Sequence, residues 1–100
     1  MSKLPIARAK LAGKRRMAIY THDLADYSGL PLSILINELN ASELRQDVDY
    51  IYNPRKDSFA LSLASAQALL ITSINGVGTN NHIAWQTWHA ITDYIQGSKE

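Results

Sequence analysis

The chain has 100 residues, 46% of them hydrophobic, and a net charge of +1, enough for one domain with a small core. It contains no cysteine, which excludes disulfides, thiolate zinc sites and cysteine nucleophiles. No apolar run approaches the roughly 18 residues of a membrane-spanning helix, and the basic N-terminus has no apolar stretch behind it, so a secretory signal is not expected.

The net charge conceals a segregation. Lys3, Arg8, Lys10, Lys14, Arg15 and Arg16 all fall within the first 16 residues, with no acidic residue among them. From Met17 onward, four Lys/Arg face nine Asp/Glu. Residues 1–16 read as a basic, flexible arm able to bind nucleic acid or a partner. Residues 17–100 read as a single domain.

Ala18-Ile19-Tyr20 forms a short apolar run suited to a strand. Thr21 reads as an N-cap with Asp23 in the first turn, opening a helix from His22 to Tyr27 that stops at Ser28-Gly29. Pro31 suits the first turn of a second helix. Leu32, Leu35, Ile36 and Leu39 carry that helix to Asn40, and Ser42 to Arg45 reads as an extra turn. Tyr50-Ile51-Tyr52 and Phe59-Ala60-Leu61 are β-prone. The turn formers Asn53 to Ser58 between them make a hairpin. Ser62 reads as the N-cap of a helix to Ile74, ended by the stretch from Asn75 to Gly78. A last helix opens at Thr79 or Asn80 and runs to Gln96. The expected fold is therefore α+β and mostly helical: a helix-turn-helix, then a β-hairpin in a winged-helix-like arrangement, then two C-terminal helices.

The helix-turn-helix reading rests on Ala25 as the small residue, Gly29 in the turn, and Leu24, Leu30, Leu35 and Leu39 as the apolar lock. The second helix would present Ser33, Ile34, Asn37 and Asn40. It holds no Lys or Arg, so it lacks the commonest direct contact to guanine. Arg55 and Lys56 at the hairpin tip are candidate phosphate contacts. Trp85 and Trp88 in the last helix are more aromatic area than a minimal core needs, which makes them candidate interface residues.

Asp23-Leu24-Ala25 with Gly29, the step Asp47-Val48-Asp49-Tyr50, the run Phe59 to Ala64 with Ala68, and a final amphipathic helix together resemble the N-terminal domain of phage antirepressors of the AntA and Rha types. The resemblance spans Ile19 to Tyr94. The strand ending Phe59-Ala60-Leu61-Ser62 departs from the Tyr-x-Leu-Thr of that pattern, and the basic arm lies outside it. The resemblance implies a small cytoplasmic regulator whose partner is a repressor protein. The alternative is a DNA-binding transcriptional regulator that uses the helix-turn-helix and the arm. Homo-oligomerisation is also expected, since a small body with many apolar residues gains from it. No enzyme active site is expected. His82 and His89 are spaced too far apart for a good metal-ligand pair, the loop from Gly76 to Asn80 lacks the lysine of a phosphate-binding loop, and no cofactor is implied.

Overall fold

The computed structural model describes residues 4–77 and 82–97. Strands β1 (Ala7–Leu11) and β2 (Lys14–Tyr20) come first, followed by helices α1 (Thr21–Ser28) and α2 (Leu32–Ala41). Strands β3 (Tyr50–Asn53) and β4 (Ser58–Ser62) and helices α3 (Leu63–Val77) and α4 (His82–Gly97) complete the chain. The strands form one four-stranded antiparallel sheet in the order β1-β2-β4-β3.

This order overturns the winged-helix expectation. The chain opens with a β-hairpin, not a helix-turn-helix, and β3–β4 is no detached wing, because β4 pairs with β2 in the middle of the sheet. The physical reason lies in the stretch read as a flexible arm. Ala7, Ala9 and Leu11 alternate with the exposed Arg8 and Lys10, which is the period-2 pattern of a half-buried strand. The charges hid that alternation. Residues 7–16 are thus part of the sheet, and the strand expected at Ala18–Tyr20 begins four residues earlier, at Lys14. Lys3 lies outside the described residues.

Ala12 and Gly13 make the turn between β1 and β2, with φ of 52° and 79°. A two-residue hairpin loop favours positive φ at both positions, because that twist matches the strands. Glycine adopts this freely, whereas alanine pays for its Cβ.

Cross-strand partners share a face of a sheet. Met17, Ile19, Leu61, Tyr50 and Phe59 lie on the helix side and join the main core with Leu24, Leu35, Leu39, Leu70, Ile74 and Ile91. On the other face, Ala18, Tyr20 and Ala60 form a second cluster with Ala7, Ala9 and Ile51, made only of strand residues. Its burial comes from curling: the edge strands β1 and β3 approach each other, and the alanines keep the concave face thin enough for them to do so.

Several expected elements stand within a residue or two of their boundaries. Ser62 caps α3 by accepting the Ser65 N–H at 3.2 Å, although α3 runs three residues beyond Ile74, to Val77. The expected start of the last helix, at Thr79 or Asn80, falls outside the described residues. Thr21 is not the N-cap of α1. It is the first helical residue and makes no side-chain cap; Tyr20 holds the cap position. Thr21 is buried instead and shares a hydrogen bond of 3.0 Å with Ser58 Oγ. Ser58 Oγ also accepts the His22 N–H at 3.3 Å, so a residue from β4 caps α1.

Two stability predictions follow from these contacts. Replacing Ala12 with Asn should raise unfolding free energy by roughly 0.5–1 kcal/mol, since Asn tolerates the left-handed region better. Replacing Ser58, which is only 3% exposed, with Ala should cost about 1–2 kcal/mol by removing the acceptor of the His22 N–H and the shorter of the two hydrogen bonds of the Thr21 hydroxyl, whose other partner is the Phe59 N–H. Urea denaturation of each variant measures both effects.

Candidate nucleic-acid interface

The sheet places five of the six N-terminal cations on one two-stranded ribbon. Arg8 and Lys10 belong to β1, and Lys14, Arg15 and Arg16 to β2. The register pairs Arg8 with Met17 and Lys10 with Arg15. Arg8, Lys10 and Arg15 therefore share one face, while Lys14 and Arg16 occupy the other. Beta4 pairs with β2 only from Ala18 to Tyr20, so residues 14–17 have β1 as their sole strand partner. The cationic part of the ribbon lies beyond the pairing with β4 but still packs on the body: Leu11 is fully buried and Met17 packs against the main core.

Lys10 directly opposite Arg15 is unfavourable. Like charges at a cross-strand position destabilise a sheet by roughly 0.2–1 kcal/mol. Nothing nearby compensates: among the described residues, the side chains of Arg8, Lys10, Lys14 and Arg15 make no ion pair with a carboxylate. All four are exposed. Arg16 differs. It is half-buried and donates from Nε to the Leu11 carbonyl at 3.2 Å, tying the strands together near the turn. The turn is fastened to the loop before β3 as well, where the Ala12 N–H donates to the Asp47 carbonyl at 2.8 Å. Tyr94 of α4, 38% exposed, borders the cationic face and donates its hydroxyl to Met17 Sδ at 3.3 Å.

The other candidate residues lie apart from the ribbon. Ser33, Asn37 and Asn40 do share an exposed face of α2, as the helical spacing requires, with Ile34 half-buried beside them. The principal packing partners of α2 are α1 and α3, not β1 or β2. The tip of the β3–β4 hairpin, with Arg55 and Lys56, stands at the end of the sheet opposite the Ala12-Gly13 turn, because β4 runs antiparallel to β2. There the Lys56 ammonium sits over the Tyr20 ring, 5.2 Å from its centroid, and the Arg55 N–H donates to Asn53 Oδ1. On the same hairpin, Tyr52 donates its hydroxyl to Asp57, which raises the pKa of the phenol above its ordinary value. Trp85 and Trp88 both pack half-buried against the main core, edge to face with centroids 6.0 Å apart. The more exposed large apolar residues are Tyr52, Tyr94 and Ile83.

The negative charge gathers elsewhere. Asp23 and Asp26 of α1 and Asp93 of α4 line a groove of 810 Å³ together with Pro5 and Ile83. Pro5 precedes β1, so this groove lies at the end of the ribbon away from the turn. At about 3.3 Å per residue, roughly 20 Å of strand separates the two. Asp23, Asp26 and Asp93 thus lie away from the Ala12-Gly13 turn, whereas Asp47 and Asp49 lie beside it: the Asp47 carbonyl accepts from Ala12, and Asp49 lines a cavity with Ala12 and Arg16.

Among the described residues, no helix is long and apolar enough to cross a membrane. No family model, no curated protein and no solved structure matches the chain.

Proposed function

We propose that the protein binds nucleic acid through the β1–β2 ribbon, as a small non-enzymatic regulator acting in the cytoplasm. The observation that carries this reading is the placement of Lys10 against Arg15, with Arg8 on the same face, and no carboxylate paired to any of them. A fold gains nothing from that arrangement; a polyanion does, since each phosphate neutralised releases condensed counterions. The reading retains the basic N-terminus as the electrostatic anchor and moves it from a flexible arm onto a rigid ribbon. Helix α2, with Ser33, Asn37 and Asn40 on its exposed face, has no basic residue to serve as the main contact.

A second reading has its own support. The acidic groove between α1 and α4, with Ile83 60% exposed at its edge, suits a basic protein segment. Together with the resemblance to phage antirepressors, it favours a regulator that seizes a repressor. Pull-down of a cognate repressor that is lost on reversing the charge of Asp23 and Asp26 would support this reading.

The ribbon is tested by Lys10→Glu. The new carboxylate faces Arg15 and should raise unfolding free energy by about 0.5 kcal/mol. At the same time it should weaken binding to mixed-sequence DNA about tenfold. The slope of log affinity against log salt should be near −3 to −4 for the unaltered chain and smaller by about 1 in the variant. A gain in stability with a loss of binding cannot arise from misfolding. Unchanged affinity would show that the ribbon is not the contact surface.

A further inference from the structure

We infer that the ligand of the cationic face is a single strand of nucleic acid, with its phosphates on Arg8, Lys10 and Arg15 and one base stacked on the ring of Tyr94. The inference rests on the nucleic-acid reading above and goes further, by naming the strandedness of the ligand and the side chain that holds a base.

The first observation is where Tyr94 stands. Its hydroxyl donates to Met17 Sδ at 3.3 Å. Met17 is the cross-strand partner of Arg8, and Lys10 is the partner of Arg15. Met17 and Arg15 are two positions apart on one strand, so all four residues share a face of the hairpin. The bond to Met17 therefore brings an aromatic residue of α4 to the border of the cationic face.

The second observation is the state of that ring. Tyr94 is 38% exposed. Among the described residues no other aromatic ring packs against it, and the cation that sits over a tyrosine ring sits over Tyr20. The hydroxyl is engaged with Met17 and the ring is left open to a planar ligand. Fixing the tip of the side chain also lowers the ordering cost of binding. An open aromatic face beside a row of cations is what binds single strands: the cations follow the phosphates and the ring takes a base, whatever the base is.

The third observation sets a duplex aside. The cationic hairpin is not a free body. Leu11 is fully buried, Met17 packs against the main core, and the Ala12 N–H is tied to the Asp47 carbonyl. The hairpin therefore offers a ligand one side and has no free second side with which to enter a groove. A duplex laid on that side would meet the cations, but its base faces are covered by their neighbours in the stack. A single strand can splay a base outward onto an aromatic side chain, and so uses Tyr94 as well as the charges.

Fluorescence anisotropy on the full chain tests this with four labelled probes of one sequence and one length: a DNA strand, an RNA strand, the DNA duplex, and a DNA strand with abasic sites in place of every nucleotide unit, which keeps the phosphates and lacks the bases. The tighter of the DNA and RNA strands, which identifies the sugar, should bind at least about tenfold more tightly than the duplex. The abasic strand should bind about tenfold more weakly than the intact DNA strand, with a similar dependence on salt, because stacking releases no counterions. In Tyr94→Leu, which keeps an apolar cover over Met17, the intact and abasic strands should bind alike. A variant that had merely lost its fold would weaken both strands together, and the abasic comparison on the unaltered chain does not depend on any variant. A duplex bound as tightly as both strands would overturn the inference while leaving nucleic-acid binding by the cationic face intact. Equal affinity of the unaltered chain for the intact and abasic strands would overturn the base contact. Failure of every probe to bind would overturn the underlying reading together with the inference.

Discussion

Three backbone pairings hold this molecule together: Ala18 with Ser62, Ile19 with Leu61, and Tyr20 with Ala60. They join an N-terminal hairpin to a hairpin some forty residues later, and everything else is placed by them. Ile19 and Leu61 become the floor on which the helices pack. Tyr20 and Ala60 become the centre of the concave face. Immediately beyond the last pairing, Thr21 and Ser58 meet and start α1. Because β2 continues past β4 toward its own turn, the same pairing leaves the cationic stretch with β1 as its strand partner and its turn fastened to the loop before β3.

The two faces of the sheet do different work. The helix side carries large apolar residues and buries them in the usual way, each contributing roughly 1.5–3 kcal/mol. The concave side carries alanines, whose small volume lets the edge strands approach. A larger residue at Ala18 or Ala60, both essentially buried, would have to be accommodated by opening the curl. The curl of the sheet therefore depends on these small residues of its concave face.

Charge follows the same division of labour. Asp23, Asp26 and Asp93 line a groove at one end, and Lys10, Lys14 and Arg15 sit near the turn at the other, with Asp47 and Asp49 close to that turn. Within the ribbon, like charges face each other at a cost to stability. That cost is concentrated at Lys10 and Arg15 rather than spread over the surface, and under the proposed function it serves binding.

How much of this was legible follows from the range of the interactions involved. Both central helices, β3, the capping of α3 by Ser62 and the course of α4 to its C-terminal end were readable, because periodicity, turn residues and caps act within a few residues. The cations were readable as a group, because composition needs no fold. The N-terminal hairpin was missed because its period-2 signal is carried by alanines, which hardly differ from a neutral background, and because Ala12-Gly13 is not the usual Asn-Gly turn. Thr21 was misread because its partner, Ser58, lies 37 positions away. The winged-helix order failed for the same reason: local pattern says that a strand exists, and only the pairing says beside which other strand it lies. Local pattern was enough for the four helices, the β3–β4 hairpin and the sign of the N-terminus, since these depend on neighbouring residues, but not for Ser42 to Arg45, which form no helical turn. That the basic segment forms a hairpin with Lys10 against Arg15, apart from α2, follows from register and strand order, which are set by contacts between residues far apart in the chain.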